Sequence, residues 1–213
     1  MTPLVLCYHA VSEDWQHRLS IEPELLLRQV RALARFRRVR VSFDDAFRSA
    51  SIVFPRLRQL DVPVQIFVCT GFARTGGPLT IPELEGDDPG ELATMTWEEL
   101  RSHAEQAIAV GSHTVSHLHL PTLSDVELAR ELSDSKDEIE SELGRRCTDL
   151  AYPYGEHDGR VQAAARAAGY ERAFALWDGS RRDRYVLPRL DLYRRHSAGR
   201  ALLMTTPFHR LVA

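Results

Sequence analysis

Val39-Arg40-Val41-Ser42-Phe43-Asp44-Asp45 is a short, β-branched run that ends in two adjacent carboxylates. Similar apolar runs recur along the chain and alternate with stretches of helical periodicity, a pattern that predicts a parallel sheet with helices outside it. The predicted strands are 4–8, 39–43, 64–69, 107–111, 148–152, 172–176 and 185–190, and the predicted helices are 22–36, 47–60, 96–106, 124–143 and 158–168. We therefore predict an α/β fold of about seven strands, which could close into a barrel or remain an open sheet.

Local signals mark the ends of two of the predicted helices. Thr96 with Glu99 and Ser124 with Glu127 have the spacing of capping boxes, in which each side chain bonds to the backbone N–H of the other residue. Gly144 stands where a C-cap glycine is expected after the second of these helices.

Composition and charge are those of an ordinary globular protein. The chain has 213 residues and a formal net charge of -3, which suits one domain over 1–213 with no general attraction to nucleic acid. No stretch approaches the length of a membrane span, and the chain starts without the features of a signal peptide. The three cysteines are far apart and form no Cys-x-x-Cys pair, which argues against a disulfide framework or a thiolate zinc site. We therefore predict a cytoplasmic protein with no transmembrane segment and no nucleic-acid partner.

Two histidines four residues apart follow another apolar run, in Ser112-His113-Thr114-Val115-Ser116-His117. One carboxylate and two imidazoles form a three-ligand site for a divalent metal that leaves positions for water and substrate. The second carboxylate of Asp44-Asp45 is then free to act as a general base. These residues favour metal-dependent hydrolysis, with a non-haem Fe(II) oxygenase as the alternative that uses the same ligand types.

The polar motifs share one position relative to the predicted strands. His9, Asp44-Asp45, His113 and Tyr154 each follow the carboxyl end of a strand, which is the edge where parallel α/β folds build active sites. The longest irregular segment, 70–95, leaves the same edge. It is predicted to form one wall of a substrate groove or to be a disordered surface insertion.

Three motifs in order resemble those of the polysaccharide deacetylases, the carbohydrate esterases with a NodB-type domain. Ser42-Phe43-Asp44-Asp45-Ala46 is similar to the family's T-F-D-D-G, and Ser112–His117 contains its H-[ST]-x-x-H metal motif. Ala151-Tyr152-Pro153-Tyr154-Gly155 is similar to its R-x-P-Y-G. The resemblance implies a distorted (β/α) barrel of about seven parallel strands with outer helices.

The same resemblance implies a role for each matching residue. Asp45, His113 and His117 would bind the metal, most readily zinc, with cobalt, nickel or manganese as other choices. Asp44 would be the general base, and Tyr154 would offer its backbone N–H to the oxyanion.

The sequence departs from the family pattern at three places. Ala46 replaces the glycine that follows the paired aspartates, and Ala151 replaces an arginine that orients the catalytic aspartate. We predict that Arg189, at the end of another strand, approaches Asp44 instead. No late L-x-H motif supplies a general acid. His9 fits the branch that resembles poly-β-1,6-N-acetylglucosamine deacetylases, where an N-terminal Tyr-His provides it, and His196 is the reserve candidate.

The predicted activity is removal of N-acetyl groups from N-acetylhexosamine glycans, with release of acetate. The predicted substrates are N-acetylated oligosaccharides, polysaccharides or lipid-linked glycans. Because the motif arginine is missing, a catalytically impaired metal-containing glycan-binding protein stays an alternative. Four further side chains could line a sugar site, although core packing is the default for each: Trp97, Tyr152, Trp177 and Leu187.

Overall fold

Seven parallel strands close into a barrel in the computed structural model, which describes residues 3–176 and 183–206. In chain order the barrel strands are Leu4–Tyr8, Val39–Phe43, Val64–Val68, Ala109–Ser112, Asp149–Ala151, Arg172–Leu176 and Leu187–Asp191. All seven predicted strands are present, within two residues of their expected ends. The barrel fold class is confirmed.

Closure occurs between the first and the last barrel strand. Val5 lies opposite Arg189 in a parallel pairing, and on its other side the first strand pairs with the second from Leu4↔Val39 to Tyr8↔Phe43. Because every pairing is parallel, all seven carboxyl ends open at one mouth of the barrel. The residues that follow these ends are therefore brought together.

Helices surround the barrel. They span Pro23–Ala34 (α1), Phe54–Gln59 (α2), Thr70–Ala73 (α3), Trp97–Glu105 (α4), Asp125–Leu143 (α5), Gly159–Ala167 (α6) and Ala198–Met204 (α7). Both capping boxes form as predicted, and Gly144 adopts the left-handed conformation with φ 62° that ends α5.

One predicted helix differs from the structure, and two short helices, α3 and α7, were not predicted. The expected helix 47–60 is a 3₁₀ turn at Arg48–Val53 that leads into the short α2, because Pro55 has no N–H and the α-helical ladder starts again around it. α7 was not predicted, although the Ser197 side chain accepts a hydrogen bond from the Arg200 backbone N–H as an N-cap. A helix of seven residues is too short for helical periodicity to show in the sequence.

A small apolar cluster fills the barrel interior. Val5, Phe67, Ala151 and Phe174 come from four different strands, and Leu187 of a fifth packs against them. This places Leu187 in core packing. Trp97 and Tyr152 are also core residues, each less than 10% exposed, while Trp177 lies outside the described residues.

Gly111 is required by this interior. A Cβ there would lie 2.7 Å from the Phe67 ring and 2.9 Å from the Asp149 carbonyl oxygen, closer than real Cβ contacts allow. Glycine therefore lets the fourth strand approach its neighbours just before the histidine motif.

The segment 70–95 packs as a wall beside the barrel mouth. Leu79, Ile81, Leu84 and Leu92 are buried in a second apolar cluster, together with Trp15 of the 10–21 loop. Since four of its side chains lie in a core, the segment is not a disordered insertion.

Polar contacts join this wall to the 10–21 loop. The Trp15 indole N–H donates to Asp87 at 2.8 Å, and the Ser12 hydroxyl donates to Glu91 at 2.9 Å.

Within the described residues, no helix combines the length and apolar character that crossing a bilayer requires.

Candidate metal centre and active-site cleft

The second barrel strand ends at the paired aspartates in a tight turn. Asp45 and Ala46 have φ values of 64° and 53°, in the left-handed region that side chains with a Cβ adopt at a cost. The turn is held on both sides, because the Asp44 N–H donates to the Tyr8 carbonyl and the Met95 N–H donates to the Ala46 carbonyl. Backbone strain of this kind is concentrated at functional sites.

The fourth strand ends at the histidine motif in a second strained turn. Thr114 and His117 have φ values of 69° and 58°. The Ser112 hydroxyl accepts from the Thr114 N–H at 3.0 Å, and the Thr114 hydroxyl accepts from the His117 N–H at 3.2 Å. These local bonds bring two side chains four residues apart to the same side of the turn.

A carboxylate from α5 supports this turn from behind. Glu131 is 8% exposed, and its Oε2 accepts hydrogen bonds from the backbone N–H groups of Val115 and Ser116, each at 2.9 Å. Two otherwise unpaired amides of the motif are thereby satisfied.

Asp45, His113 and His117 converge on one point. The Asp45 Oδ1 lies 3.3 Å from the His117 Nε2 and 3.6 Å from the His113 Nε2. The His113 Nδ1 is 2.8 Å from the Ala151 carbonyl oxygen, so it donates its proton there and leaves the Nε2 lone pair facing Asp45. All three side chains are at least nine-tenths buried.

The electrostatics of this group fit a divalent cation. Burial raises the pKa of the Asp45 carboxyl to about 7, and its only hydrogen-bond donor among the described side chains is the Cys69 thiol at 3.9 Å. Burial also lowers the pKa of His113 to about 3 and that of His117 to about 4, so both imidazoles are neutral. A buried carboxyl without a cationic partner beside two neutral imidazoles is a donor set that a zinc ion would satisfy.

Asp44 has a different environment. Arg189 is completely buried, and its guanidinium donates to both carboxylate oxygens, with Nη1–Oδ1 at 2.5 Å and Nη2–Oδ2 at 2.8 Å. Burial opposes ionisation of Asp44, but this guanidinium outweighs it and holds the pKa of Asp44 well below its usual range. The structure therefore places Arg189 against Asp44, while Ala151, at the motif arginine's position, packs in the barrel interior.

His9 and Cys7 also lie close to Asp44. One ligand-type atom of each of these three residues lies within 4.8 Å of the other two. The Cys7 thiol is buried and donates to the Asp44 Oδ2 at 3.5 Å. His9 is half-buried and faces the cleft.

Tyr154 lies beside His117 in a turn of its own, with φ 59°. Its ring contacts His117 edge-on at 4.6 Å and stacks on His119 at 4.0 Å. Its hydroxyl donates to Glu83 of the wall segment at 3.0 Å. The ring of His119 therefore supports the predicted oxyanion residue.

A cleft of about 210 Å³ opens at the barrel mouth, and seven of the residues described above line it: His9, Asp44, Asp45, Glu83, His113, His117 and Tyr154. Sequence reasoning did not identify several of its lining residues, because each reaches the cleft from a loop or strand end without a recognisable motif. They are Arg18, Leu19, Ile81, Leu176, Asp191 and Tyr193. The reserve acid His196 is not among the lining residues; its Nδ1 accepts the Tyr193 N–H instead.

Comparison with protein families yields one match over most of the barrel. The family model described as polysaccharide deacetylase matches residues 34–173. One similar protein is "Putative polysaccharide deacetylase YxkH" of Bacillus subtilis (strain 168), which is 25% identical over 143 residues, or 67% of this chain. The chain spans 46% of that relative's length.

Solved structures share the fold over nearly the whole chain. The Streptococcus pyogenes deacetylase PplD, solved in complex with acetate, superposes with a TM-score of 0.79 at 19% identity, covering 96% of this chain and 98% of that one. A de-N-acetylase from Aggregatibacter actinomycetemcomitans has a TM-score of 0.76 at 20% identity, covering 92% and 97% of the two chains. At these identities, the likeness is one of fold.

Proposed function

This chain belongs to the polysaccharide deacetylase family, and from that premise we propose that it is a metal-dependent hydrolase that removes N-acetyl groups from N-acetylhexosamine glycans. One observation carries the proposal. The buried group of Asp45, His113 and His117 lies beside an aspartate that Arg189 keeps ionised, in a cleft open to solvent. A metal site and a base side by side are the requirements of hydrolysis.

Asp45, His113 and His117 would hold the metal. Carboxylate oxygen and imidazole nitrogen suit zinc best, and also suit cobalt, nickel or manganese. A divalent ion bound there would acidify water and polarise the acetyl carbonyl.

The chain's own groups would then move the protons. Asp44 accepts a proton from the attacking water, and its fixed position against Arg189 keeps the carboxylate aimed at the cleft. Tyr154 offers its backbone N–H to the negative oxygen of the tetrahedral intermediate. His9, as imidazolium, delivers a proton to the departing amine nitrogen. Because Asp44 must be ionised and His9 protonated, the rate should have a bell-shaped dependence on pH.

The position of the acid suggests the kind of glycan. His9 follows the first strand, as in the branch that the sequence resembles, which acts on β-1,6-linked N-acetylglucosamine. Oligosaccharides, polysaccharides and lipid-linked glycans of this type are the substrates we propose. The proposal extends to residues 1–213 as one catalytic domain, because the first and last strands both take part in the barrel.

Acetate release tests the proposal directly. Purified protein is stripped of metal, supplied with zinc or cobalt, and incubated with β-1,4- and β-1,6-linked N-acetylglucosamine oligomers. We expect acetate release that a chelator stops and that does not depend on oxygen, which distinguishes hydrolysis from the oxygenase chemistry. Metal binding without acetate release from any oligomer would favour the glycan-binding alternative.

Asp44→Asn separates catalysis from metal binding. The substitution removes the base but none of the three proposed ligands, so turnover should fall by about 10²–10⁴-fold while the bound zinc, measured by mass spectrometry, stays unchanged. His113→Ala is the matched variant that should lose the metal. Turnover of Asp44→Asn at the wild-type rate would mean that the base is another group.

Other parts of the sequence-based prediction stay as predictions. The Arg189–Asp44 pair supports an active enzyme over an impaired one, since it supplies a cation where the motif arginine is missing. All three cysteines are free, which suits the reducing cytoplasm. The expected lack of a nucleic-acid partner stays a prediction.

A further inference from the structure

Asp44 belongs to a second group of ligand-type atoms. The Cys7 Sγ, an imidazole nitrogen of His9 and a carboxylate oxygen of Asp44 all lie within 4.8 Å of one another, with the Cys7 Sγ and Asp44 Oδ2 at 3.5 Å. Ligand atoms of a tetrahedral zinc ion lie roughly 3–4 Å apart, since the bonds are about 2.0–2.3 Å long. Small side-chain movements would therefore bring these three atoms to ligand distances.

We propose that Cys7, His9 and Asp44 form a second, inhibitory binding site for a thiophilic divalent cation such as zinc. The inference rests on the proposed function, because it concerns regulation of the same cleft. An ion at this site occupies the carboxylate that would accept a proton and the imidazole that would deliver one. Turnover therefore stops while the second site is filled.

The donor types define which cations fit. Thiolate and imidazole favour zinc, cobalt and cadmium, whereas magnesium and calcium prefer oxygen ligands alone. The sequence contains no pair of cysteines that would reveal such a site. Its single thiol is joined by an imidazole two residues later and by a carboxylate from the turn that follows the neighbouring strand. The register Cys7↔Ser42 between the first two strands places Cys7 next to the Asp44 turn.

Charge predicts the order in which the two sites fill. Arg189 already neutralises Asp44 through two hydrogen bonds, and the buried Cys7 must release a proton before it can bind an ion. Among the described residues, the side chains that lie within salt-bridge distance of Asp45 are those of two neutral imidazoles, so no cationic side chain neutralises it. The Asp45 site therefore fills first, and the Cys7 site fills at higher metal concentration. An ion would enter from the cleft, which His9 and Asp44 line.

Cobalt spectroscopy tests the assignment without relying on turnover. The metal-free full chain is titrated with Co(II), and thiolate-to-cobalt charge transfer is followed in the near ultraviolet. We expect no charge-transfer band with the first equivalent, a band with the second, and none at any ratio in Cys7→Ser. Cys147→Ser is the matched control, since Cys147 is also a buried free thiol but contacts Asp149 rather than the cleft, and it should keep the band.

Zinc stoichiometry and inhibition give two further measurements. Equilibrium dialysis should find two zinc ions per wild-type chain and one per Cys7→Ser chain. Excess zinc should lower the wild-type rate by about tenfold or more, and lower the Cys7→Ser rate, relative to that variant's own rate with one equivalent, by less than about twofold. If Cys7→Ser does not fold, Cys7→Ala takes its place.

Failure of this inference differs from failure of the proposed function. Absence of the band in the wild type, or its persistence in Cys7→Ser and Cys7→Ala, overturns the second site even if acetate is released normally. A band with the first equivalent means that Cys7 belongs to the primary site, which also overturns the inference. Absence of acetate release with one equivalent of zinc overturns the proposed function. The cobalt spectra then still test the second site independently.

Discussion

Asp44 and Asp45 are adjacent in the chain, yet the fold gives their carboxyl groups opposite surroundings. Asp44 receives two hydrogen bonds from a buried guanidinium, whereas Asp45 faces two neutral imidazoles. The pKa of the first is held low and that of the second is raised, burial being the first cause of the rise. Two carboxyl groups whose pKa values are pushed apart are suited to different tasks, here a base and a metal ligand.

Arg189→Met should expose the dependence of Asp44 on its partner. Without the guanidinium, burial raises the pKa of Asp44, so the carboxylate becomes protonated at a higher pH. The acidic limb of the rate profile should therefore move to higher pH, and kcat/KM at neutral pH should fall by about tenfold or more. The measurement is the rate of acetate release at about ten pH values between about 4 and 9, with zinc supplied.

The control for this variant is another arginine of the barrel. Arg172 makes a similar two-bond pair with Asp149, at 2.7 and 2.9 Å, away from the cleft. Arg172→Met should leave the acidic limb in place. If Arg189→Met unfolds the protein, as a cost of about 3–5 kcal/mol for an unpaired buried charge could cause, Arg189→Lys keeps the charge and should shift the limb less. If the acidic limb of the rate profile stays in place in a folded Arg189 variant, Arg189 does not control the pKa of Asp44.

His9→Gln should act on the leaving group. With an N-acetyl sugar, the departing amine needs a proton, so the rate should fall by about 10²–10⁴-fold. With an aryl acetate ester, the departing phenolate needs none, and the fall should be less than about tenfold. The two rates are compared with those of His196→Gln, whose imidazole does not line the cleft and which should resemble the wild type. Equal losses on both substrates would argue against His9 as the acid.

At the scale of elements, α5 supports the metal motif. Its Glu131 binds the backbone N–H groups of two motif residues from a helix that contributes no proposed ligand. Its Ser135 side chain also lies 2.8 Å from the Ser112 hydroxyl, which in turn holds the Thr114 N–H. The orientation of the two histidines therefore depends on how this helix packs against the fourth strand.

Glu131→Gln should weaken zinc binding without removing a ligand. The amide oxygen is a poorer acceptor than a carboxylate for two N–H groups, so the strained turn loses part of its support, and we expect about a 10- to 100-fold rise in the zinc dissociation constant. Competition with a chromophoric chelator measures it. Glu138→Gln is the control on the same helix, because Glu138 forms an ion pair with Arg74 alone among the described residues, at 2.8 Å in a partly exposed contact. If both variants bind zinc with the same affinity, Glu131 does not specifically support the metal site.

The parts of the fold that the sequence predicts are those with local signals. The barrel strands are short runs with buried residues on both faces, and their carboxyl ends predict the shared edge. That rule predicts Arg189 as a candidate partner of Asp44. It does not predict the two hydrogen bonds between them, because these depend on closure of the barrel between the first and last strands, which are far apart in the sequence. Glu131 has no local signal at all, because a glutamate on a helix is normally a surface residue. No pattern marks the Cys7–His9–Asp44 group either, because Asp44 joins it only through the pairing of the first two barrel strands.

At the scale of the whole molecule, we expect the core to form without the metal. The large apolar cluster and the small cluster inside the barrel contain none of the proposed ligands. Metal removal should therefore leave the protein folded but less stable, because zinc that binds only the folded state stabilises it by an amount that grows with the logarithm of the free zinc concentration relative to the dissociation constant. At a free zinc concentration of about 100 times the dissociation constant this amounts to ~2.7 kcal/mol, or about 5–10 °C in Tm for a chain of this size.

Thermal unfolding with zinc and with a chelator checks this expectation. Far-ultraviolet circular dichroism at 25 °C should be unchanged by the chelator, while the Tm falls. The His113→Ala variant should unfold at one temperature under both conditions. Loss of the dichroism signal on chelation would show that the fold needs the ion. A wild-type Tm that is the same with zinc and with the chelator would argue against metal binding at this site.

The seam between the first and the last barrel strand has a practical consequence for anyone trimming this protein. The region that matches the family, 34–173, contains the aspartate pair, both histidines and Tyr154, but leaves out His9 and Arg189. A recombinant piece cut to those limits would keep Asp45, His113 and His117 while losing the acid and the cation beside the base. It would also expose two unpaired sheet edges, which invite aggregation. Such a piece could bind zinc and still be inert, so a negative assay on it would say nothing about the intact barrel.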